Sequence, residues 1–339
     1  MTDQTTSPLI PDTAPDASID TNEELYWAAY QVRKIAMRDL AWQLFKRVIN
    51  PIHLFKAARL QWKRKSLRQG FVDAQLNLIN KVLPTDFLHY GYFDDLEIPP
   101  EEMKLSDISR AQLRYAELLI DQMTNSADPV LDVGCGMGGI SRLLRNRGYN
   151  PVALTPDRLQ AAHIAATQPQ VPVLRCKLER LPVAEHLQKY GTVLTSESLQ
   201  YLRLDQALPI IEKILKPNGR WIASDYFQSH PQADDTCHNW EHFQTLLPRH
   251  GFRITRQLDI SKNVIPMLSW VNMWSERIVK PAASMTTLRL QRKQPGVHYL
   301  FEGVIQYLNE TLDNNLLRLD PTWFLRHRQY MMLTIERAA

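Results

Sequence analysis

The chain has 339 residues, of which 44% are hydrophobic and 22% charged, so it can bury a full-sized core typical of globular proteins. No stretch approaches the roughly 18 consecutive apolar residues that cross a bilayer, and the first residues lack the basic and apolar pattern of a signal peptide. Its three cysteines are odd in number and far apart, which excludes a disulfide framework and a four-cysteine zinc site. We therefore expect a cytoplasmic protein.

The net charge of +4 is distributed unevenly. Residues 1–22 are acidic and poor in large apolar side chains, which predicts a disordered tail. Residues 31–69 carry eleven Lys and Arg against one Asp, a net charge of +10, so the remainder of the chain sums to −6. Helical spacing of apolar residues predicts helices at about Asn22–Ile49 and from Pro51 onward. This basic N-terminal extension, residues 23–100, is either a solvated helical cap or a surface that contacts an anionic membrane peripherally.

From Ser106 onward, helices alternate with short apolar strands, which we predict at Pro129–Val133, Pro151–Leu154, Val171–Cys176, Gly191–Ser196 and Arg220–Asp225. This alternation predicts parallel strands with crossover helices, that is, a doubly wound, Rossmann-like α/β fold over residues 101–262. Two later strands, Phe252–Leu258 and Tyr330–Glu336, would pair as a C-terminal antiparallel hairpin and complete a mostly parallel seven-stranded sheet. Residues 263–326 then form a helical insertion that we expect to cap the acceptor site, and residues 327–339 hold the last strand.

A glycine-rich turn follows the first predicted strand, with Asp132 at the strand end and Gly134, Gly136 and Gly138 after it. Glycines at such a turn let a ligand lie directly against the backbone, and a carboxylate beside them can receive an ammonium group. The same residues leave an alternative open, because Gly134, Gly136 and Gly139 also fit the dinucleotide fingerprint of NAD(P)-binding oxidoreductases. Asp132 favours a cationic ligand, since its charge would repel a pyrophosphate.

The form Asp-x-Gly-x-Gly at Asp132, Gly134 and Gly136 resembles the first motif of class I S-adenosylmethionine (AdoMet)-dependent methyltransferases. The resemblance extends from about Leu105 to Ser261 and resumes at the last strand. It implies AdoMet as the cofactor, with the loop that includes Met137 and Gly138 around its methionine half.

The same resemblance assigns further cofactor contacts. Relatives place an acidic residue on the ribose at the end of the second strand, where this chain has Thr155, and Asp157 is the nearest substitute. Leu178 and Glu179 resemble the segment that borders the adenine, and Ser196 ends the strand beside the cofactor.

Three features are similar to the branch that includes tocopherol, sterol, small-amine and cyclopropane-fatty-acid-type enzymes. The segment Leu88–Asp94 is similar to a His-Tyr-Gly-Tyr segment that closes over the cofactor there, with Tyr92 as a contact. Glu197-Ser198 and the helical insertion are the other two. Together with the aromatic residues of the insertion, this likeness implies a small, hydrophobic or lipid-like methyl acceptor.

Methyl transfer is an in-line displacement, so positioning and exclusion of water can supply most of the catalysis. A general base, where one is used, must reach the acceptor proton, and the candidates are His89, Glu197 and Tyr201. A non-catalytic scaffold of the same fold, bound to a membrane enzyme, is the alternative. The His-x-x-Glu-His spacing at His238–His242 is interpreted as a helix start, so no metal is expected. Nucleic acid is not expected as a partner, because the chain outside residues 31–69 is acidic.

Overall fold

A computed structural model describes residues 42, 45, 46, 49–63, 80, 85–123, 127–230 and 236–338. Helices and strands of those residues are numbered below in chain order. The acidic tail predicted at 1–22 and most of the helix predicted at Asn22–Ile49 lie outside the described residues.

Residues 1–69 form a unit of their own, in which the described helix is α1 (Pro51–Lys63). It begins as predicted, with proline in its first turn and Asn50 before it, whose Oδ1 accepts a hydrogen bond from the Ile52 amide (2.9 Å). Large apolar side chains of this unit are more than half exposed, namely Trp42, Phe45, Ile49, Ile52, Leu54 and Phe55. These side chains are therefore not part of a core.

The second unit, residues 70–339, contains a single sheet. Its strands are β1 (Pro129–Val133), β2 (Asn150–Leu154), β3 (Val173–Leu174), β4 (Tyr190–Ser196), β5 (Leu215–Gln228), β6 (Phe252–Asp259) and β7 (Arg328–Arg337). They lie side by side in the order β3-β2-β1-β4-β5-β7-β6. The first five are parallel, and β7 runs antiparallel between β5 and β6. The predicted fold class is therefore confirmed.

Two strands differ in length from the prediction. Only Val173–Leu174 pairs with β2, so the predicted strand Val171–Cys176 is mostly loop. Strand β5 extends beyond the predicted Arg220–Asp225 because its antiparallel pairing with β7 continues to Gln228. This extension carries β5 past the ends of its parallel neighbours.

Helices cover both faces of the sheet: α2 (Leu105–Ile120), α3 (Gly139–Asn146), α4 (Arg158–Thr167), α5 (Leu204–Ile214) and α6 (Trp240–Arg249). Successive residues of a strand point to opposite faces. Val193 and Trp221 accordingly belong to one buried cluster, whereas Leu194 and Ile222 belong to the other. Burial of apolar surface, worth about 25 cal/mol per Å², stabilises both layers.

The insertion between β6 and β7 comprises a short 3₁₀ turn, α7 (Ile265–Trp274), a π-helical turn (Ser275–Val279), α8 (Lys280–Lys293), α9 (Pro295–Leu317) and α10 (Pro321–His327). Val264, Leu268 and Phe324 are buried in the same cluster as the sheet. In contrast, α8 buries no residue and α9 buries only Leu316. The insertion at 263–326 was expected to cap the acceptor site as a whole. In the structure only α7, α10 and the adjoining turn pack on the core. No described helix is long and apolar enough to cross a membrane.

Candidate functional site

The glycine-rich turn connects β1 to α3 at the carboxyl end of the parallel strands. Gly134, Gly136 and Gly138 have φ values of 72°, 54° and 83°, a left-handed conformation that favours glycine. The Gly134 and Cys135 amides donate to the Leu154 carbonyl (2.8 and 3.3 Å), which ties the turn to the end of β2. The ends of β1, β2 and β4 thus meet at one edge of the sheet, where ligands bind in doubly wound folds.

The protein's own side chains lie close to these glycines. Packing within the protein therefore requires glycine here, in addition to any bound ligand. A Cβ added at Gly134 would lie 2.4 Å from Ser198 Cβ, and one at Gly138 would lie 2.9 Å from Ile164 Cγ1. A Cβ at Gly136 would meet Leu88 at 3.1 Å. The turn is therefore packed against three separate elements, which fix its backbone in advance of any ligand.

Asp132 lies beneath this turn and is almost fully buried. Its Oδ2 accepts a hydrogen bond from the Ser141 hydroxyl on α3 (2.6 Å). Burial raises the pKa of Asp132 to about 6, and the Ser141 hydrogen bond opposes the rise. A carboxylate that is costly to ionise in this position would be stabilised by a cationic ligand.

The structure gives Thr155 and Asp157 tasks within the protein. The Thr155 hydroxyl donates to Gln160 Oε1 (2.8 Å) and accepts from the Asp157 amide (3.1 Å). Asp157 Oδ1 caps α4 by accepting from the Leu159 and Gln160 amides (2.7 and 3.1 Å). Both side chains are buried. Asp157 thus caps α4, and the ribose contact expected of it stays a prediction.

The segment predicted to border the adenine lies in a 3₁₀ turn, Leu178–Arg180, beyond the end of β3. The Leu178 side chain is buried in the core, so only its backbone can face a ligand. Glu179 Oε1 accepts from the Arg203 amide (3.0 Å), which joins this turn to the start of α5. The adenine contact stays a prediction.

Residues 85–94, here called the strap, run over the glycine-rich turn. A Cβ at Gly139 would lie 2.7 Å from the Asp86 carbonyl oxygen. The Asp86 carboxylate forms an ion pair with Arg142 on α3 and contacts the ring of His163 on α4, with 3.1 Å between Oδ1 and Nε2. The Tyr92 amide donates to the Ala111 carbonyl (2.9 Å), which anchors the far end of the strap on α2. The strap thus lies over the turn, as the resemblance implies.

His89 is buried within the strap and packs its ring on Tyr115, with centroids 4.2 Å apart. Its Nδ1 hydrogen donates to the Tyr90 carbonyl (2.8 Å), and burial lowers the pKa of His89 to about 4. Among the described residues, Nε2 has no hydrogen-bond partner. The ring is therefore neutral and a weak base, with an acceptor atom free for a ligand donor.

Glu197 follows β4 and connects the strap to the last strand. Its Oε1 accepts hydrogen bonds from the Tyr330 hydroxyl and the Tyr90 amide (2.6 Å each). Its backbone has φ +49°, a left-handed conformation that costs energy in a non-glycine residue, and its amide donates to the Ser224 carbonyl (2.8 Å). Burial raises the pKa of Glu197 to about 8, which the two hydrogen bonds oppose. Part of the side chain remains exposed.

Aromatic rings surround this carboxyl group. Tyr90, Tyr115 and Tyr226 each lie about 6 Å from the Tyr330 ring, at centroid distances of 6.3, 6.2 and 6.1 Å. The Tyr115 hydroxyl also contacts Ser196 Oγ (3.1 Å). The Tyr115 hydroxyl therefore connects Ser196, which is predicted as a cofactor contact, to the Tyr330 hydroxyl.

A second acid lies next to Glu197, at the end of β5. Asp225 accepts from the amides of Gln200 (3.1 Å) and Tyr226 (2.9 Å), and burial raises its pKa to about 7. The nearby Arg328 guanidinium opposes this rise and lies over the rings of Tyr226 (4.7 Å) and Trp323 (5.2 Å). Sequence reasoning missed these residues. The signal for Asp225 was its place at the end of a predicted parallel strand, as for Asp132.

The three candidate bases are therefore not equivalent. Tyr201 is 66% exposed on the turn after Glu197, at the rim of the cluster. His89 is buried and poorly basic, whereas Glu197 is a half-buried residue whose Oε1 is held by two donors. The geometry favours Glu197.

The His-x-x-Glu-His spacing lies at the start of α6. His238 contacts the Leu199 carbonyl through Nε2 (3.0 Å), and Asn239 caps the helix by accepting from the His242 amide (2.9 Å). The described part of the chain has no group of three or more His, Cys, Asp or Glu able to hold a metal ion. The pattern is a capped helix start.

Comparison with known proteins links this site to a family. Residues 131–223 match a family model described as a methyltransferase domain. O-methyltransferase resE of Aspergillus sclerotiorum is 26% identical over 246 residues, 64% of this chain and 90% of its own length. Fatty-acid O-methyltransferase of Mycolicibacterium smegmatis is 28% identical over 148 residues, 41% of this chain and 52% of its own. The chain thus spans nearly all of one relative and about half of the other.

Solved structures share the fold at lower identity. The [4+2]-cyclase SpnF has a TM-score of 0.57 at 16% identity, over 78% of this chain and 92% of that one. Geranyl diphosphate C-methyltransferase of Streptomyces coelicolor A3(2), determined with Mg²⁺, geranyl diphosphate and S-adenosylhomocysteine, has a TM-score of 0.54 at 16% identity, over 78% and 94%. At this identity the likeness shows the fold alone.

The buried carboxyl group of Asp132 predicts a proton balance for AdoMet binding. If the AdoMet ammonium group is received by Asp132, binding lowers the pKa from about 6, so near pH 6 about half a proton is released per site. Calorimetry in buffers of different ionisation enthalpy measures this release.

Asp132→Asn should abolish the release and weaken binding. Ser141→Ala removes the hydrogen bond that holds the pKa down, so it should increase the release at pH 6. Binding to the wild-type protein with no proton release at pH 6 would contradict the contact.

Proposed function

We propose that this chain is a class I AdoMet-dependent methyltransferase and that it transfers the methyl group of AdoMet to a small, hydrophobic or lipid-like acceptor. AdoMet supplies an electrophilic methyl group on a sulfonium ion. The observation that carries the proposal is the contact between the glycine-rich turn and the Glu197 cluster. Ser198 lies against Gly134, and its hydroxyl donates to the Val133 carbonyl (2.6 Å). Glu197 is the residue before Ser198, so it lies close to the glycine-rich turn.

The residues present fit AdoMet. Asp132 supplies a buried carboxylate for an ammonium group, and the preformed turn with Met137 lies beside it under the strap. We assign the backbone of Gly134, Gly136 and Gly138 to the methionine half. The remaining proposed cofactor contacts are Tyr92, Thr155, Asp157, Leu178, Glu179 and Ser196.

The acceptor class follows from the surfaces around Glu197. Tyr90, Tyr226 and Trp323 are half-buried residues, and an acceptor that reaches Glu197 would meet their aromatic rings beside a carboxyl group. Aromatic surroundings of this kind would bind apolar surface and orient it with few polar groups. The names of the fatty-acid and geranyl diphosphate enzymes, which share the domain or the fold, agree with this class.

Glu197 is the proposed general base. Oε1 is held by Tyr330 and the Tyr90 amide, and the exposed part of the side chain can take a proton from the acceptor as its nucleophilic atom attacks. The tyrosine rings exclude water and hold the acceptor in line. If the acceptor is an alkene, the same carboxylate and rings would stabilise a cation.

The proposal is tested by incubating the purified protein with methyl-labelled AdoMet and separate hydrophobic and polar metabolite fractions. We expect label only in hydrophobic products, with S-adenosylhomocysteine formed in equal amount, and no product with Asp132→Asn. Label confined to polar products would reject the acceptor class. AdoMet binding without turnover on any fraction would favour the scaffold alternative. Tighter binding of NADH or NADPH than of AdoMet would favour the oxidoreductase alternative.

Peripheral contact of residues 31–69 with an anionic membrane is a second proposal. It is supported by exposed apolar side chains at Phe45, Ile49, Ile52 and Phe55, together with the exposed basic residues Lys46, Lys56 and Arg59. Cosedimentation with anionic vesicles at low salt should fall when Lys56 and Arg59 become Gln. Cosedimentation should stay unchanged when Lys189 and Lys213, which lie in the other unit, become Gln. Failure of the wild-type protein to sediment would reject this contact.

The raised pKa of Glu197 predicts the pH dependence of the reaction. Because the pKa is about 8, Glu197 is mostly protonated at pH 7, so kcat/KM should rise as pH increases through about 8. Glu197→Gln should lower kcat/KM by about 10²–10⁴-fold and remove this rise. Tyr330→Phe removes a donor that stabilises the carboxylate, so it should move the rise to higher pH.

A matched control is Tyr190→Phe. Tyr190 is also buried and bonded, through its hydroxyl, to His186 (2.7 Å), but it lies at the opposite end of β4. Loss of the Tyr190 hydroxyl should leave the pH dependence of kcat/KM unchanged. A profile unaffected by Tyr330→Phe would contradict the assignment of Glu197 as the base.

A further inference from the structure

The outer side of α9 exposes large apolar side chains in a regular arrangement. The exposed fractions are 76% for Tyr299, 77% for Leu300, 55% for Val304, 67% for Tyr307 and 58% for Leu308. Residues four apart lie on one side of a helix, so these side chains form a continuous strip, here called the α9 strip. Exposed apolar patches of this kind mark interaction sites.

The residues of the α9 strip are spaced evenly about its midpoint. It consists of three dipeptides four residues apart, Tyr299-Leu300, Gly303-Val304 and Tyr307-Leu308. Its midpoint lies between Gly303 and Val304. A Cβ at Gly303 would have no atom within 4 Å, so packing within the chain does not require glycine there.

We propose that the α9 strip is the contact surface for a second copy of this chain, with the two α9 helices antiparallel about a two-fold axis at the strip midpoint. In this pairing Leu300 faces the second copy's Tyr307, and Gly303 faces its Val304. Each contact then occurs twice, as an isologous interface requires. The missing side chain of Gly303 makes room for the opposite valine.

The charges at the end of α8 and along α9 favour an antiparallel arrangement of the two α9 helices. The carboxyl half of α9 carries Glu310 and Asp313, whereas Arg292 and Lys293 directly precede its start. Antiparallel helices bring the acidic end of one beside the basic end of the other, whereas parallel helices would place like charges together. Helix α9 itself has three acidic residues and no Lys or Arg, so an anionic lipid surface is a poor occupant.

The exposed apolar area of the α9 strip is a large part of what a dimer interface needs. A fully exposed aromatic side chain offers about 150–250 Å², so the α9 strip supplies several hundred Å² per copy. On α8, Met285 and Leu288 are also exposed, by 57% and 62%. A specific interface needs about 800 Å² per partner. This inference is independent of the reaction proposed above.

The test uses the full chain and measures its association by analytical ultracentrifugation over a range of concentrations. We expect a wild-type dimer. Leu300→Lys and Leu308→Glu should each weaken dimerisation by about tenfold or more, since each buries a charge in the interface. Leu187→Lys is the matched control, because Leu187 is 56% exposed and lies outside the insertion. It should leave the dimer unchanged.

Mixing the two variants identifies the direction of pairing. Only in an antiparallel pair does the introduced lysine of one copy approach the introduced glutamate of the other, so the mixture should form a mixed dimer more tightly than either variant alone. Circular dichroism and AdoMet binding establish that each variant is folded. A monomeric wild-type protein, a dimer insensitive to both changes, or a mixture without recovery would each overturn the proposal.

Discussion

The carboxyl group of Glu197 joins three parts of the molecule that are distant in sequence. It accepts hydrogen bonds from the strap at Tyr90 and from the last strand at Tyr330, and it directly follows β4. Its left-handed backbone and raised pKa both cost free energy, which the surrounding packing must offset. This group therefore helps to hold the strap at Tyr90 and the tyrosine ring at Tyr330, in addition to the anchors of the strap at Asp86 and Tyr92.

Sequence alone predicted the features that are local. The strand, turn and helix around Asp132 were found because their residues are adjacent, and alternation of helices and strands was enough for the sheet. Tyr115 and Tyr330 could not be found, since they meet Ser196 and Glu197 only after β7 inserts between β5 and β6. The sequence did not show that Asp157 caps α4, because capping and ligand binding use the same carboxylate chemistry.

The insertion before β7 serves two separate purposes in this account. Its ends, α7 and α10, pack on the core near the site. The Arg328 guanidinium lies over both the ring of Trp323 on α10 and the ring of Tyr226. Its middle, α8 and α9, contributes little to the core and presents the α9 strip outward. Aromatic residues of the insertion therefore cannot all be assigned to acceptor binding. Tyr299 faces solvent, whereas the ring of Trp323 lies under the Arg328 guanidinium.

Amide hydrogen exchange of the strap tests the central claim most directly. The Tyr90 amide donates to Glu197 Oε1, so Glu197→Ala should increase the exchange rate at Tyr90 and its neighbours in the strap. Exchange in β1 and β2 should stay as in the wild-type protein. Unchanged protection of Tyr90 in the variant would contradict the account, because the strap would then be held without this carboxylate.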